Sequence, residues 1–208
     1  MIKLENISVY NVKNAIRGMR NPMNSWELSD SSYGDDYYHF YIGKKDEELA
    51  KKLIKAGTDH RKFLRQIFVS IDITAPLYWW KQMDQYRVGA VTNSTSTMHK
   101  LTSKPLSISD DFSIDDIDGF MLEYVEYLNR MIEQYKSLEN EETKKRVWRN
   151  IIQRLPDSYN QTRTWTGNYE ILRNIYFARK DHKLNEWRNF CIALSDESKF
   201  PFAEFISE

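Results

Sequence analysis

Two stretches of this chain gather side chains able to hold a ligand. In Thr92-Asn93-Ser94-Thr95-Ser96-Thr97, all six residues carry hydrogen-bonding side chains. A hydroxyl- and amide-rich loop on a rigid scaffold is a common way to hold an anion. Taken alone, the ordinary outcome for such a segment is a solvated surface loop. The second stretch is LPDSYNQTRTWTGNYEILRNIYFAR, residues 155–179. Asn168 stands at a helix start, with Asn174 six residues on and Arg179 eleven on. Eleven residues are close to three turns, so Asn168 and Arg179 are expected on one face of one helix. An arginine fork fixed there by packing can bind the O/N edge of a pyrimidine and stabilise charge developing on it. A capping Asn and a surface Arg is the ordinary alternative.

Other chemistries find no support. The seven glycines are dispersed, so neither a P-loop nor a dinucleotide fingerprint can be built. The lone Cys191, flanked by Phe190 and Ile192, rules out a disulfide framework and reads as an inert core thiol. Four scattered histidines lack H-x-x-x-H spacing, and the chain is expected to hold no metal. Thirty basic residues balance thirty acidic ones, so no global field draws the chain to nucleic acid or to a membrane surface. No run is long and apolar enough to span a bilayer, and Met1-Ile2-Lys3-Leu4-Glu5 is not a signal peptide. A cytoplasmic location is the expectation. Aromatic residues make up 14% of the chain, side chains that fill cores or stack on flat heterocycles.

The elements that must position these residues can be read from periodicity. Ile67, Val69, Ile71 and Ile73 alternate with Phe68, Ser70, Asp72 and Thr74, a strand with one buried face. Ala75-Pro76 then opens an aromatic helix from Leu77 to about Arg87. Upstream, residues 2–10 form a first or edge strand. Asn11 is placed to cap a short helix whose Val12, Ala15, Ile16 and Met19 face inward. On that helix Arg17 and Arg20 share a face, as a phosphate clamp or as solvated surface arginines. Residues 21–44 are turn-rich and hold Trp26, Tyr33, Tyr37, Tyr38, Phe40 and Tyr41, a composition suited to a lid or an inter-subunit arm. Helices follow at 46–56, 117–138 and 142–154, the last stopped by Leu155-Pro156. Residues 103–116 read as a second loop and 162–166 as a short β segment. Another helix runs from Asn168 to Arg179, and a last one near 184–195 precedes a Phe-rich tail. With no repeat or linker, residues 1–208 are expected to make one α/β domain.

Together the two stretches resemble the flavin-dependent thymidylate synthases, also called thymidylate synthase complementing proteins. The resemblance is most specific at Ala75-Pro76, Lys100-Leu101, Leu155-Pro156, Trp165-Thr166-Gly167-Asn168, Arg179 and the Pro201-to-Phe205 tail. These fall in the family's order and, from Ala75 onward, nearly in its spacing. The resemblance implies an α+β subunit with a central, mostly antiparallel sheet flanked by helices, assembled as a homotetramer with active sites shared between subunits. It implies FAD as cofactor, NADPH as hydride source, and transfer of a one-carbon unit from methylenetetrahydrofolate to C5 of dUMP. There the flavin mediates the transfer, in keeping with a chain that has no candidate nucleophilic cysteine.

Residue by residue, Asn168 and Asn174 fall where the family turns asparagines toward FAD. Arg179 falls on the arginine that grips and polarises the uracil, and Gln82 on a nucleotide-contacting glutamine. The family signature R-H-R-x-x-S followed by S-x-R is eroded, its opening triplet reading Gln85-Tyr86-Arg87 and its next serine Ala90. The resemblance sets Arg87 and Asn93 (acidic in the family) toward the flavin, and Gln85, Thr95, Ser96 and Thr97 toward the nucleotide. The flavin-facing histidine aligns with Gln66, and His60 is the nearest histidine. Thr97 replaces the phosphate-binding arginine, removing a bond worth roughly 1.5–3 kcal/mol. Arg17, Arg20, Arg154 or Arg163 can substitute, or the substrate is not dUMP. Two functions follow: a divergent FAD-dependent thymidylate synthase-like enzyme, or a non-catalytic nucleotide-binding or oligomeric interaction protein that keeps the fold.

Overall fold

The four main strands are β1 (Lys3–Tyr10), β4 (Phe68–Pro76), β5 (Val91–Ser94) and β6 (Asn160–Asn168), in the sheet order β1-β4-β6-β5. Two short strands, β2 (Ser32–Tyr33) and β3 (Phe40–Tyr41), pair antiparallel on their own. The computed structural model describes residues 2–36 and 39–208, and the aromatic positions Tyr37 and Tyr38 lie outside the described residues. The described chain gathers into two compact units. The first is Met1–Leu4, Asp72–Gln85 and Thr92–Thr164; the second is Glu5–Ile71, Tyr86–Val91 and Trp165–Glu208.

Alternation along β4 does what the sequence pattern demands. Val69, Ile71, Ile73 and Ala75 are completely buried. On the opposite face, polar side chains pair with β6: Ser70 with Thr166 at 3.2 Å, Asp72 with Thr164 at 2.5 Å, Thr74 with Thr162 at 2.7 Å. One partner number rises as the other falls, so the two strands run antiparallel. β6, Asn160–Asn168, is longer than the 162–166 segment expected, extending beyond these side-chain pairs at both ends.

In the second unit, α1 (Val12–Met19) buries Ala15, Ile16 and Met19. Asn11 precedes it at φ +68° without capping it, and its side-chain amide instead donates to the Gln66 carbonyl at 3.0 Å. The expected arginine clamp does not form. Arg20 is turned inward, 5% exposed, with its Nε 2.5 Å from Oδ1 of the fully buried Asp46 on α2 (Lys44–Lys55). Ser29 and Ser31 donate to the other carboxylate oxygen at 2.5 and 2.6 Å. Burial alone would push the Asp46 carboxyl up. The hydrogen bonds from Ser29, Ser31 and Arg20, with the guanidinium charge, outweigh it and hold the carboxyl below its ordinary value. Arg17 lies over the Trp26 ring at 5.3 Å. The core of this unit is completed by α8 (Tyr169–Arg179), α9 (Asn185–Leu194) and α10 (Glu204–Ser207), which bury Leu172, Ile175, Trp187, Phe190 and Phe205.

In the first unit, α3 (Leu77–Met83) is a turn shorter than the pattern predicts, its last turn closing at Asp84. Trp79 and Trp80 are buried there, edge to face at 4.9 Å. The stretch Thr92–Thr97 is not a loop. Its first half is edge strand β5, the Thr95 N–H donates to the Thr162 carbonyl at 2.9 Å, and Ser96 caps α4 (Thr97–Lys100). β-Branched Val91 and Thr92 favour a strand, and the edge of β6 supplies the backbone partners a strand needs. The second expected loop carries α5 (Ile108–Asp111) and a bridge from Phe112 to Tyr159. The long helix α6 (Gly119–Ser137) packs on α7 (Glu141–Arg154) through Leu128, Ile132, Val147 and Ile151.

Candidate functional site

Arg179 ends α8 in the second unit, half-buried. Its Nε donates to the Tyr86 hydroxyl at 2.9 Å. Its guanidinium carbon lies 4.9 Å from the Trp187 ring and 5.6 Å from the Tyr86 ring, which meet edge to face at 6.3 Å. The Tyr86 hydroxyl and two ring faces thus hold a planar fork. The His182 N–H donates to the Arg179 carbonyl at 3.0 Å. Burial first, then Arg179, Arg188 and Lys183, push the His182 imidazole below its ordinary value. His182 is therefore neutral at pH 7, and the positive charge of this corner sits on Arg179, Arg188 and Lys183.

Asn168 is the cap of α8, in extended conformation, its side-chain oxygen accepting from the Ile171 N–H at 3.1 Å. As the cap it precedes the helix that Arg179 ends, and its side-chain oxygen is used by the fold while its amide NH2 is not used by that cap. That amide is beside Gly89, where an added Cβ would meet it at 3.9 Å. Gly89 sits at φ +77°, a conformation side chains resist, so the turn from Arg87 passes close over the start of α8. Arg87 is exposed. Asn174 is also exposed and, five residues before Arg179, lies about 140° around the helix from it. Arg173, by contrast, is buried and donates to the carbonyls of Phe205, Ile206 and Glu208, anchoring the tail beneath α8.

His60 and Gln66 come together on a cavity of about 580 Å³ within the second unit. Met19, Leu53 and Phe63 form an apolar wall, while Lys52 and Lys62 add two cations and Asp59 one carboxylate. An added Cβ at Gly18 would lie 2.9 Å from the Gln66 side-chain oxygen, so the glycine makes room for that amide. An apolar wall with a few convergent polar groups suits a flat heteroaromatic ring bearing an anionic tail.

In the first unit, Thr95 is held at both backbone atoms: its N–H by Thr162 and its carbonyl by the Gln161 amide at 2.8 Å. The Ser96 hydroxyl accepts from the His99 N–H at 3.1 Å. Gln85 and Asn93 are exposed, and Gln82 and Thr97 half-buried. Arg154, exposed at the end of α7, bonds the carbonyl and side chain of Asn150 at 3.2 and 3.1 Å. Cys191 is buried, and burial pushes its thiol up to about 12. Among the described residues no group of three His, Cys, Asp or Glu could hold a metal ion.

Sequence reasoning missed Tyr86 and Trp187 as the holders of Arg179. Tyr86 had a signal: it stands in the middle of the eroded triplet, where an aromatic ring with a hydroxyl can still reach an arginine.

No protein-family model and no curated protein matches the sequence. Two solved structures are similar in fold. Thymidylate Synthase X (ThyX) from Helicobacter pylori with FAD and dUMP is 16% identical with a TM-score of 0.72, each chain covering 100% of the other. A second structure of the flavin-dependent thymidylate synthase ThyX from Helicobacter pylori, also complexed with FAD and dUMP, is 17% identical. Its TM-score is 0.66, over 91% of this chain and 92% of that one. The chain has the flavin-dependent thymidylate synthase fold, mixed helix and antiparallel sheet, as the sequence resemblance implies.

Proposed function

We propose that this chain is a divergent FAD-dependent thymidylate synthase-like enzyme. It transfers a one-carbon unit to C5 of a pyrimidine deoxynucleotide, dUMP or a related nucleotide, with NADPH as reductant and methylenetetrahydrofolate as carbon donor. The observation that carries this reading is the half-buried Arg179, immobilised by the Tyr86 hydroxyl and the Tyr86 and Trp187 rings. C5 of a pyrimidine attacks an electrophilic carbon through an enolate-like form of the ring, in which negative charge rests on a ring carbonyl oxygen. A fixed guanidinium donating to that oxygen stabilises that charge more than the neutral ground state.

FAD, when bound, supplies hydride-transfer chemistry at the reacting carbon. His60, Gln66, Lys52 and Lys62 around the apolar wall, with Asp59 beside them, would hold such a group, and the family resemblance adds Asn168, Asn174, Arg87 and Asn93 as further contacts. The only cysteine, with its thiol pushed up to about 12, is no thiolate nucleophile at neutral pH. The nucleotide contacts in this reading are Gln82, Gln85, Thr95, Ser96, Thr97 and Arg154. No helix among the described residues is long and apolar enough to cross a membrane. A cytoplasmic homotetramer of single-domain subunits, as the resemblance implies, completes the proposal.

A second reading, a non-catalytic nucleotide-binding or interaction protein, draws on the Thr95–Thr97 segment. There both backbone atoms of Thr95 and the Ser96 hydroxyl are used by the fold, and position 97 carries no charge. An absorbance spectrum of the purified protein, an FAD titration, and NADPH oxidation in the presence of dUMP, dCMP or UMP decide between them. Colourless protein that takes up no FAD overturns the enzyme reading. Nucleotide-stimulated NADPH oxidation overturns the other.

A further inference from the structure

Alternation along β6 puts Gln161, Arg163 and Trp165 on one face of the strand, opposite the hydroxyls of Thr162, Thr164 and Thr166. An arginine on the inward face of a strand must be held, and Arg163 is. Its side chain is only 15% exposed, its guanidinium stacks on the Trp80 ring at 4.4 Å, and its Nε donates to Gln161 Oε1 at 3.0 Å. Nη1 donates to Asp84 at 2.9 Å, and Asp84 is 52% exposed. Among the described residues Nη2 has no hydrogen-bond partner, so part of the five-donor fork stays available.

The other end of Gln161 reaches the threonine-rich segment. Its amide NH2 donates to the Thr95 carbonyl at 2.8 Å, so one side chain links the Arg163 guanidinium to Thr95. Two hydrogen bonds and an amide between them set Arg163 Nε and Thr95 O no more than roughly 8 Å apart. A phosphate beside this link accepts from Arg163 Nη2 and from the hydroxyl of the exposed Thr95, since the Thr95 carbonyl is itself an acceptor.

We infer that Arg163 is the phosphate-binding cation of the nucleotide site, replacing the charge that Thr97 lacks, and that Gln161 is the positioning residue that holds it toward Thr95. The identity of the ligand as a nucleotide rests on the proposed function above. The competing cations are otherwise engaged. Arg20 is sealed against Asp46, Arg17 lies on Trp26, and Arg154 is tied to its own helix at Asn150. Asp84 orients the fork but also repels a phosphate dianion, so its removal must act with the opposite sign to loss of Arg163.

The test is calorimetric titration of dUMP and of deoxyuridine, which lacks only the phosphate, into the full chain. Arg163→Gln weakens dUMP about tenfold to a hundredfold and leaves deoxyuridine within about twofold. Arg163→Lys restores part of the loss, and Asp84→Asn tightens dUMP severalfold. A wild-type protein that binds both equally, or an Arg163→Gln variant that keeps the wild-type ratio of the two affinities, overturns the inference alone. Should Arg163→Gln fail to fold, unchanged ratios in Arg163→Lys and Asp84→Asn overturn it equally. A wild-type protein that binds neither compound and takes up no FAD overturns the enzyme reading, and this inference with it.

Discussion

Arg179→Ala separates holding a fold from holding a ligand. Among its contacts in the folded chain are a neutral-acceptor hydrogen bond to Tyr86 and two ring contacts, and the side chain is half-buried. At about 1 kcal/mol for the bond and about 0.5–1 for each ring, these three contacts together are worth about 2–3 kcal/mol of stability. For a chain of this size that is a fall in melting temperature of roughly 4–12 °C, leaving the protein folded at 25 °C. The effect on ligand is larger. Two charge-assisted bonds to a pyrimidine edge are worth at least about 3 kcal/mol, so affinity falls more than about a hundredfold. Deoxyuridine is the ligand to titrate, because without a phosphate it reports the base contact alone. Arg179→Lys keeps the charge without the planar fork and recovers little. Tyr86→Phe removes only the hydroxyl that aims the fork and weakens binding about tenfold at nearly unchanged melting temperature. A folded Arg179→Ala protein with wild-type affinity for deoxyuridine refutes the assignment of the base to this arginine.

Three further outcomes follow from charge and burial. Asp46→Asn strips the counter-charge from the buried Arg20 and lowers stability by about 3–5 kcal/mol in urea unfolding; a loss under about 1 kcal/mol would mean the pair does not close the 25–31 segment onto α2. Because the Asp46 carboxyl is held below its ordinary value, this stability is present above about pH 4 and lost as pH falls through the lower folded value, an acid dependence that Asp46→Asn removes. His182, depressed by burial and by Arg179, Arg188 and Lys183, contributes stability in full above about pH 6.5 and loses it as pH falls below; its imidazole resonance moves toward the ordinary titration in Arg179→Ala, and an unmoved resonance would contradict the proximity. Cys191, buried and with its thiol pushed up to about 12, reacts with a thiol reagent only on unfolding, so rapid labelling of native protein would count against that burial.

Most elements were legible because the signals that set them are local. The alternation from Ile67 to Ile73 is a strand face, the Leu155-Pro156 stop ends α7, and Asn168 opens α8. The errors came where a distant partner decides. Thr92–Thr97 looked like a loop because its side chains are all polar, yet β6 offers an edge that turns its first half into a strand. Arg17 and Arg20 looked like a pair on one helix face. In the structure Arg20 turns to a carboxylate 26 residues away, and Arg17 to an indole. Asn168 and Arg179 looked like neighbours on one helical face. The structure adds that Asn168 ends β6 and caps α8, so its oxygen is already bonded to the Ile171 N–H.

By itself the sequence determined the longer strands and helices and their order, the inert environment of Cys191, and the few positions at which a family resemblance could be placed. Periodicity and capping act over a few residues, so they are written directly in the chain. Tertiary structure alone decided which polar side chains are held. Tyr86 holds Arg179 across 93 positions, Asp84 meets Arg163 across 79, and Gln161 meets Thr95 across 66. A guanidinium becomes a fixed fork only when packing removes its other rotamers and supplies its hydrogen-bond partners. Those partners come from other elements, which no local pattern names.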